Sequence, residues 1–185
     1  MKLCRYNDNK LGVVEQEQPI DVTEAIEVVP EARWPRPHGD GLIANLNTAK
    51  TVVGTLRKWG FVQRHSSVEI LSPVANPTKV IGAPTNYAKH IDEAQADPEI
   101  SLGRKRTTIE TNGLFLKTPI LVGPSEGVAL EFPDRRQDHE VELAMIIGRT
   151  CKNVAYDQAL DVVAGYAIGL DMTVRGVEDR SMRKA

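Results

Sequence analysis

The run Asp138-His139-Glu140-Val141-Glu142-Leu143-Ala144-Met145-Ile146-Ile147 constrains this chain more than any other. Read as a β-strand, its side chains alternate between two faces, so Glu140 and Glu142 point the same way, about 6.6 Å apart over two strand rises. Ala144 and Ile146 continue that face and are apolar, which puts the two carboxylates at the rim of a core. Like charges so placed repel and raise one carboxyl pKa unless a proton or a cation intervenes. A divalent metal removes the conflict, and all-oxygen ligation favours Mg²⁺ or Mn²⁺, with Ca²⁺ a further candidate, over zinc. The alternative is a strand whose glutamates face solvent opposite lysines.

A third carboxylate, Asp171, follows the apolar run Gly165-Tyr166-Ala167-Ile168-Gly169-Leu170 and is expected at a strand terminus, where loops present functional groups on a rigid scaffold. Its other reading is the N-cap of a helix running from Val174. A second cluster, Asn86-Tyr87-Ala88-Lys89-His90-Ile91-Asp92-Glu93, follows the strand-like Lys79–Pro84. On a helical turn, His90 and Glu93 share a face within hydrogen-bond reach. A glutamate holding one imidazole nitrogen leaves the other free to take a proton from water. An exposed histidine beside a surface ion pair is the competing reading.

Other chemistry is poorly supported. Gly123-Pro124-Ser125-Glu126-Gly127 fits the G-x-S-x-G pattern, but a nucleophile elbow runs from strand into helix, and here Val128-Ala129-Leu130-Glu131-Phe132-Pro133 reads as a short strand. Ser125 is therefore expected in a turn, with a serine hydrolase the remote alternative. A net charge of −2 gives no reason to expect a nucleic-acid partner, and Arg104-Lys105-Arg106 reads as a solvated loop. The chain has no apolar run near the roughly 20 residues that span a bilayer, so no membrane partner is expected. Its opening residues have no apolar signal core, which points to the cytoplasm. Cys4 and Cys151 stand alone and read as free thiols.

With 185 residues, 41% hydrophobic and 26% charged, the chain suits one main domain with a small appendage. A hairpin around Asn7-Asp8-Asn9, a helical stretch from Val22 to Val28, and a longer helix from Leu42 to Trp59 capped by Asp40 suggest a small α/β piece over residues 1–66. Residues 67–185 turn β-rich: VEIL, TKVIGA, LFLK, VALEF, HEVELAMIIG and GYAIGLDM, with a short helix from Tyr156 to Val163 before the last. Ala94 to Asn112 lacks apolar periodicity and is expected as a long loop. The fold class is α+β.

Taken in order, N-Y-x-x-H-x-x-E at Asn86–Glu93, FLK followed by LVGP, DHEVELAMIIGR, and GLDMTVRG with EDRSMRK resemble the fumarylacetoacetate hydrolase family, over essentially the whole chain. The resemblance implies a mixed β-roll, incomplete at the C-terminal end of this chain, or completed by strands of another chain. It implies a divalent metal on Glu140, Glu142 and Asp171, and a His90–Glu93 dyad on a short helix that orders over substrate. Arg175, Lys184, Tyr87 and Lys117 match family positions that meet the substrate or a developing oxyanion, with Lys184 grouped among the catalytic residues. Two departures stand out. The segment Gly82–Tyr87 is two residues longer than the common G-x-N-Y, and Glu178 stands where many relatives carry glutamine.

The activity so implied is hydrolytic cleavage of a carbon–carbon bond in 2-oxo and diketo acids such as acylpyruvates, in aromatic catabolism, by a homodimer. Isomerisation or decarboxylation of 2-oxo acids in the same site is the first alternative. A catalytically silent binding or assembly subunit is the second.

Overall fold

The computed structural model describes residues 1–60, 63–84, 86–101 and 109–175, apart from the side chains of Glu99 and Asn112. Two compact units divide the chain, one comprising Met1–Thr78, Ile120–Val128 and Leu143–Ala167, the other Lys79–Pro119, Ala129–Glu142 and Ile168–Ala185.

In the first unit, β1 (Leu3–Tyr6) and β2 (Lys10–Glu15) form the expected antiparallel hairpin, with Leu3 opposite Val13. Asn7 and Asn9 take positive φ at its turn, which asparagine tolerates better than most residues. β3 (Gln18–Asp21) extends the sheet through a tight turn at Gln16-Glu17, and β4 (Ile70–Leu71) pairs with β1, giving the order β3-β2-β1-β4. A 3₁₀ helix spans Thr23–Val28, where a helical stretch is expected.

The long helix expected from Leu42 to Trp59 is two helices, α1 (Gly41–Ala44) and α2 (Leu46–Trp59). Asn45 breaks it. Its side-chain amide donates to the Gly41 carbonyl at 2.9 Å, offering the backbone an alternative to helical continuation. Asp40 is the cap, accepting from the Leu42 and Ile43 amides at 2.9 and 3.1 Å. α2 ends at Gly60, whose φ of 74° is the left-handed conformation glycine adopts without penalty. Ala49, Val53 and Leu56 recur at helical spacing and are buried; Val53 and Leu56 pack with Leu11, Val13, Val22 and Ala25 into the core of this unit. Each buried valine or leucine among them contributes about 1.5–3 kcal/mol.

Gly123 to Glu126 is a turn, as the Gly/Pro/Ser composition predicts: the Glu126 amide donates to the Gly123 carbonyl at 3.0 Å. A side chain at 123 would press within 2.6 Å of the Ile70 carbonyl oxygen, so only glycine lets the turn lie against β4. The strand expected at Val128–Phe132 is absent. A strand exists only in a ladder, and among the described residues this segment has no strand partner before Pro133.

In the second unit, β5 (Val80–Gly82) pairs antiparallel with β6 (Phe115–Lys117), and the Phe115 ring covers the bare face of Gly82. Between them α3 (Ala88–Ala96) takes the helical turn expected for His90 and Glu93, and the described parts of the expected loop hold two one-turn helices, α4 (Pro98–Ser101) and α5 (Ile109–Asn112). One-turn helices are too short to show apolar periodicity, which is why the sequence pattern misses them. Pro98 fits the first position of α4, where its missing N–H costs nothing.

β7 (Gln137–Ile147) and β8 (Val163–Val174) pair with each other, and their residues are divided between the two units. The Gly148 amide bonds the Val162 carbonyl at one end, and the Arg175 amide the Arg136 carbonyl at the other, so the pair is antiparallel. A 3₁₀ helix over Tyr156–Val162 connects them, matching the helix expected there. Alternation is strict: Asp138, Glu140, Glu142, Ala144 and Ile146 are half-buried, while the residues between them are exposed. Cys4 and Cys151 are free thiols. Among the described residues no helix is long and apolar enough to cross a membrane.

Candidate functional site

β7 presents Asp138, Glu140 and Glu142 on its half-buried face, and β8 presents Asp171 and Thr173 on its own. Asp171 lies inside β8, with three strand residues after it, and is neither at a strand terminus nor a helix cap. The alternation that exposes Ile168, Leu170 and Met172 carries straight through it. The Thr173 hydroxyl donates to Glu140 Oε2 at 3.1 Å, tying the two strands together across the carboxylates.

Cations meet these carboxylates. Lys117, on β6, donates its ammonium to Asp171 while lying 5.7 Å from the Phe115 ring centroid. Arg175 donates one guanidinium nitrogen to Glu140 and another to Asp138 Oδ2, the latter at 2.8 Å. Burial alone would lower the Arg175 pKa, but its bonds to Asp138 and Glu140 outweigh that and raise it. Asp138 is held below the usual carboxylate range by Arg136 first and Arg175 second. Glu142 is pushed up, first by burial and then by the charges of Asp171 and Glu140, against the pull of His90 and Lys117. Among the described residues it has no hydrogen bond or ion pair of its own.

His90 sits on α3 with Nε2 3.9 Å from Glu140 Oε1. Glu93 lies on the same helix, exposed, and no hydrogen bond joins the two side chains. Tyr87 precedes the first residue of α3 and accepts from the Ile91 amide at 3.0 Å, its side chain partly exposed. Lys184 and Glu178 lie outside the described residues. The structure thus gathers Glu140, Glu142, Asp171, His90, Lys117 and Arg175. It adds Asp138 and Thr173, which sequence reasoning did not single out although each stands two residues from a chosen carboxylate.

The donor set suits a hard divalent cation in kind: three carboxylates on paired strands and no thiolate. The unrelieved repulsion at Glu142 is what such an ion would remove. Among the described residues, however, no three such side chains stand close enough together to ligate one ion. Glu140 and Asp171 are engaged by Arg175 and Lys117 instead, so binding calls for an exchange of those cations for the metal.

Ser125 shows nothing of a nucleophile. Its hydroxyl oxygen accepts from the Ile70 amide at 2.8 Å, a bond that fastens the turn to β4.

The chain is similar to known proteins along its whole length. The chain is 50% identical over 188 aligned positions to a maleylpyruvate hydrolase of Aquipseudomonas alcaligenes, a match covering all of this chain and 66% of that protein. It is 39% identical over 102 residues to an oxaloacetate tautomerase of Bos taurus, covering 54% of this chain and 41% of that one. The crystal structure of maleylpyruvate hydrolase from Sphingobium sp. SYK-6, in complex with manganese(II) ion and pyruvate, superimposes with a TM-score of 0.69 at 33% identity, over all of this chain and 62% of that one. The chain therefore spans about two thirds of the length of its maleylpyruvate hydrolase relatives. The family model described as fumarylacetoacetate (FAA) hydrolase C-terminal matches residues 79–185, the segment holding every residue of the site, and the chain belongs to the fumarylacetoacetate hydrolase family.

Proposed function

We propose that this chain serves a metal-dependent hydrolase that cleaves the carbon–carbon bond of acylpyruvate-type diketo acids. The observation that carries the reading is the set of three carboxylates on β7 and β8, one of them under repulsion from the other two, with His90 beside them. Glu140, Glu142 and Asp171 would hold the ion, Mn²⁺ or Mg²⁺. When bound, it would act as a Lewis acid toward the 2-oxo-acid oxygens.

The chain's own groups divide the remaining work. His90 takes a proton from the water that attacks the acyl carbonyl, with Glu93 as its partner once α3 meets substrate. Arg175 and Lys117, released from Glu140 and Asp171, meet the substrate carboxylate and the developing oxyanion, together with Tyr87 and Lys184. The water oxygen ends on the acyl carbon. The bond between that carbon and the pyruvate methylene breaks, and the methylene takes up a proton. Pyruvate and a carboxylic acid leave.

The manganese and pyruvate of the Sphingobium protein support this reading. The bovine tautomerase supports a second one, in which the same groups only shuttle a proton at the carbon beside the 2-oxo group. A homodimer in the cytoplasm accompanies the proposal. Its support is the apolar surface of the second unit's part of β7 and β8, where Val141, Ile168, Leu170 and Met172 are exposed, as at an interface. That residues 1–66 form a small domain beside a catalytic roll at 67–185 is supported by a core cluster drawn wholly from Leu3 to Leu56.

The test is pyruvate release from maleylpyruvate by the metal-stripped chain with and without added Mn²⁺, alongside oxaloacetate keto–enol exchange. Mn²⁺-dependent pyruvate release is expected; tautomerisation without pyruvate release would favour the second reading, and neither would refute both.

A further inference from the structure

A row of alternating charges runs from the end of α3 to the carboxylates of the site. Asp97 caps the C-terminal end of α3, and its Oδ2 accepts from Arg136 Nη1 at 2.8 Å. The same guanidinium donates through Nε to Asp138 Oδ1 at 2.9 Å. Asp138 in turn accepts from Arg175 at 2.8 Å, and Arg175 reaches Glu140, whose Oε1 lies 3.9 Å from His90 Nε2. The backbone closes the same path, with the Arg175 amide on the Arg136 carbonyl at 2.9 Å.

His90 and Asp97 are seven residues apart, about two turns of helix, so they stand on one face of α3. Ala94 falls between them on that face and is fully buried. The helix therefore meets the charge array twice, through His90 near its start and through Asp97 at its end. With Ala94 buried between them, the second contact adds to what holds the helix in its orientation.

We propose that Arg136 is a positioning residue: by bridging Asp97 at the end of α3 to Asp138 on β7, it latches the helix that carries His90 against Glu140. Arginine suits the task because its planar fork holds two carboxylates in a fixed geometry, where the compact ammonium of a lysine, on a flexible stem, would hold them less rigidly. Nothing in the role of Arg136 requires contact with substrate. It acts through α3 and His90. The catalytic consequence rests on the hydrolase reading above, whereas the mechanical one does not.

The two are tested separately on the whole chain, with Arg136→Gln, Asp97→Asn, the double variant and Arg136→Lys. Amide hydrogen exchange is measured over residues 88–96 without metal or substrate. Exposed ion pairs are individually weak, so each single variant is expected to speed exchange of α3 about two- to fivefold, and the double variant no further, because both substitutions remove the same latch. Exchange in β1–β3 should not change. Arg136→Lys should fall between wild type and Arg136→Gln. With maleylpyruvate and Mn²⁺, kcat should drop by a factor similar to the gain in exchange while KM holds, the mark of a displaced catalytic group and not of lost substrate contact. Unchanged exchange over 88–96 in both single variants would overturn the latch even if activity fell. Faster exchange with no wild-type turnover would uphold the latch and sink the hydrolase reading instead.

Discussion

Asp138 and Glu142 lie four residues apart on one face of β7 and are driven in opposite directions, Asp138 down by guanidinium groups, Glu142 up by burial and neighbouring carboxylates. Surroundings set the charge of a carboxyl more than its residue type does. Asp21, in the N-terminal sheet, shows the balance away from the site. Burial by itself would raise its pKa, but hydrogen bonds from the Thr23 hydroxyl at 2.5 Å and the Thr23 amide at 2.9 Å outweigh it and the pKa is lowered. A carboxyl lowered on folding stabilises the fold above its ordinary value of 3.8, and that contribution fades as pH falls below it through the folded value. Asp21→Asn is therefore expected to lower the thermal midpoint at neutral pH, with the gap to wild type closing below about pH 3.8. A gap independent of pH in thermal melts would contradict this. Glu140 and Glu142 are legible in sequence because strand alternation alone puts them on one face. Arg136 and Asp97 are not, because a contact between residues 39 apart leaves no local pattern.

Elements follow the same division. The β1–β2 hairpin is readable from Asn7-Asp8-Asn9 and its alternating flanks, and Asp40 is readable as a cap from its place before an apolar-periodic run. β3 is not, because its turn lacks the usual signal: Gln16 and Glu17 both take positive φ, at 49° and 63°, where a two-residue hairpin turn favours Asn-Gly. Left-handed backbone at such residues costs about 1–2 kcal/mol each. Replacing Gln16-Glu17 by Asn-Gly should stabilise the chain by about 1 kcal/mol or more, read as a higher denaturant midpoint at unchanged slope. A lower midpoint would mean that Gln16 or Glu17 makes a contact worth more than the strain. The Asn45 break in the long helix was hidden for a related reason, since asparagine within a helical pattern signals a cap only when its side chain turns back to the preceding turn.

For the whole molecule, the fold class and the family were readable because several short motifs occur in order, each weak alone. What sequence could not convey is the state of the site: Asp171 paired with Lys117 and Glu140 with Arg175, so that two of three proposed metal ligands are neutralised by side chains. Metal binding at this site requires that a divalent ion displace those cations. Calorimetric titration of the metal-stripped chain with Mn²⁺, repeated on Glu140→Ala, addresses it most directly. One saturable site is expected in the wild-type chain, with a loss of affinity of at least about tenfold in the variant, as for removal of a ligand or its support. Equal affinity in the two proteins, or no binding in the wild type, would contradict it.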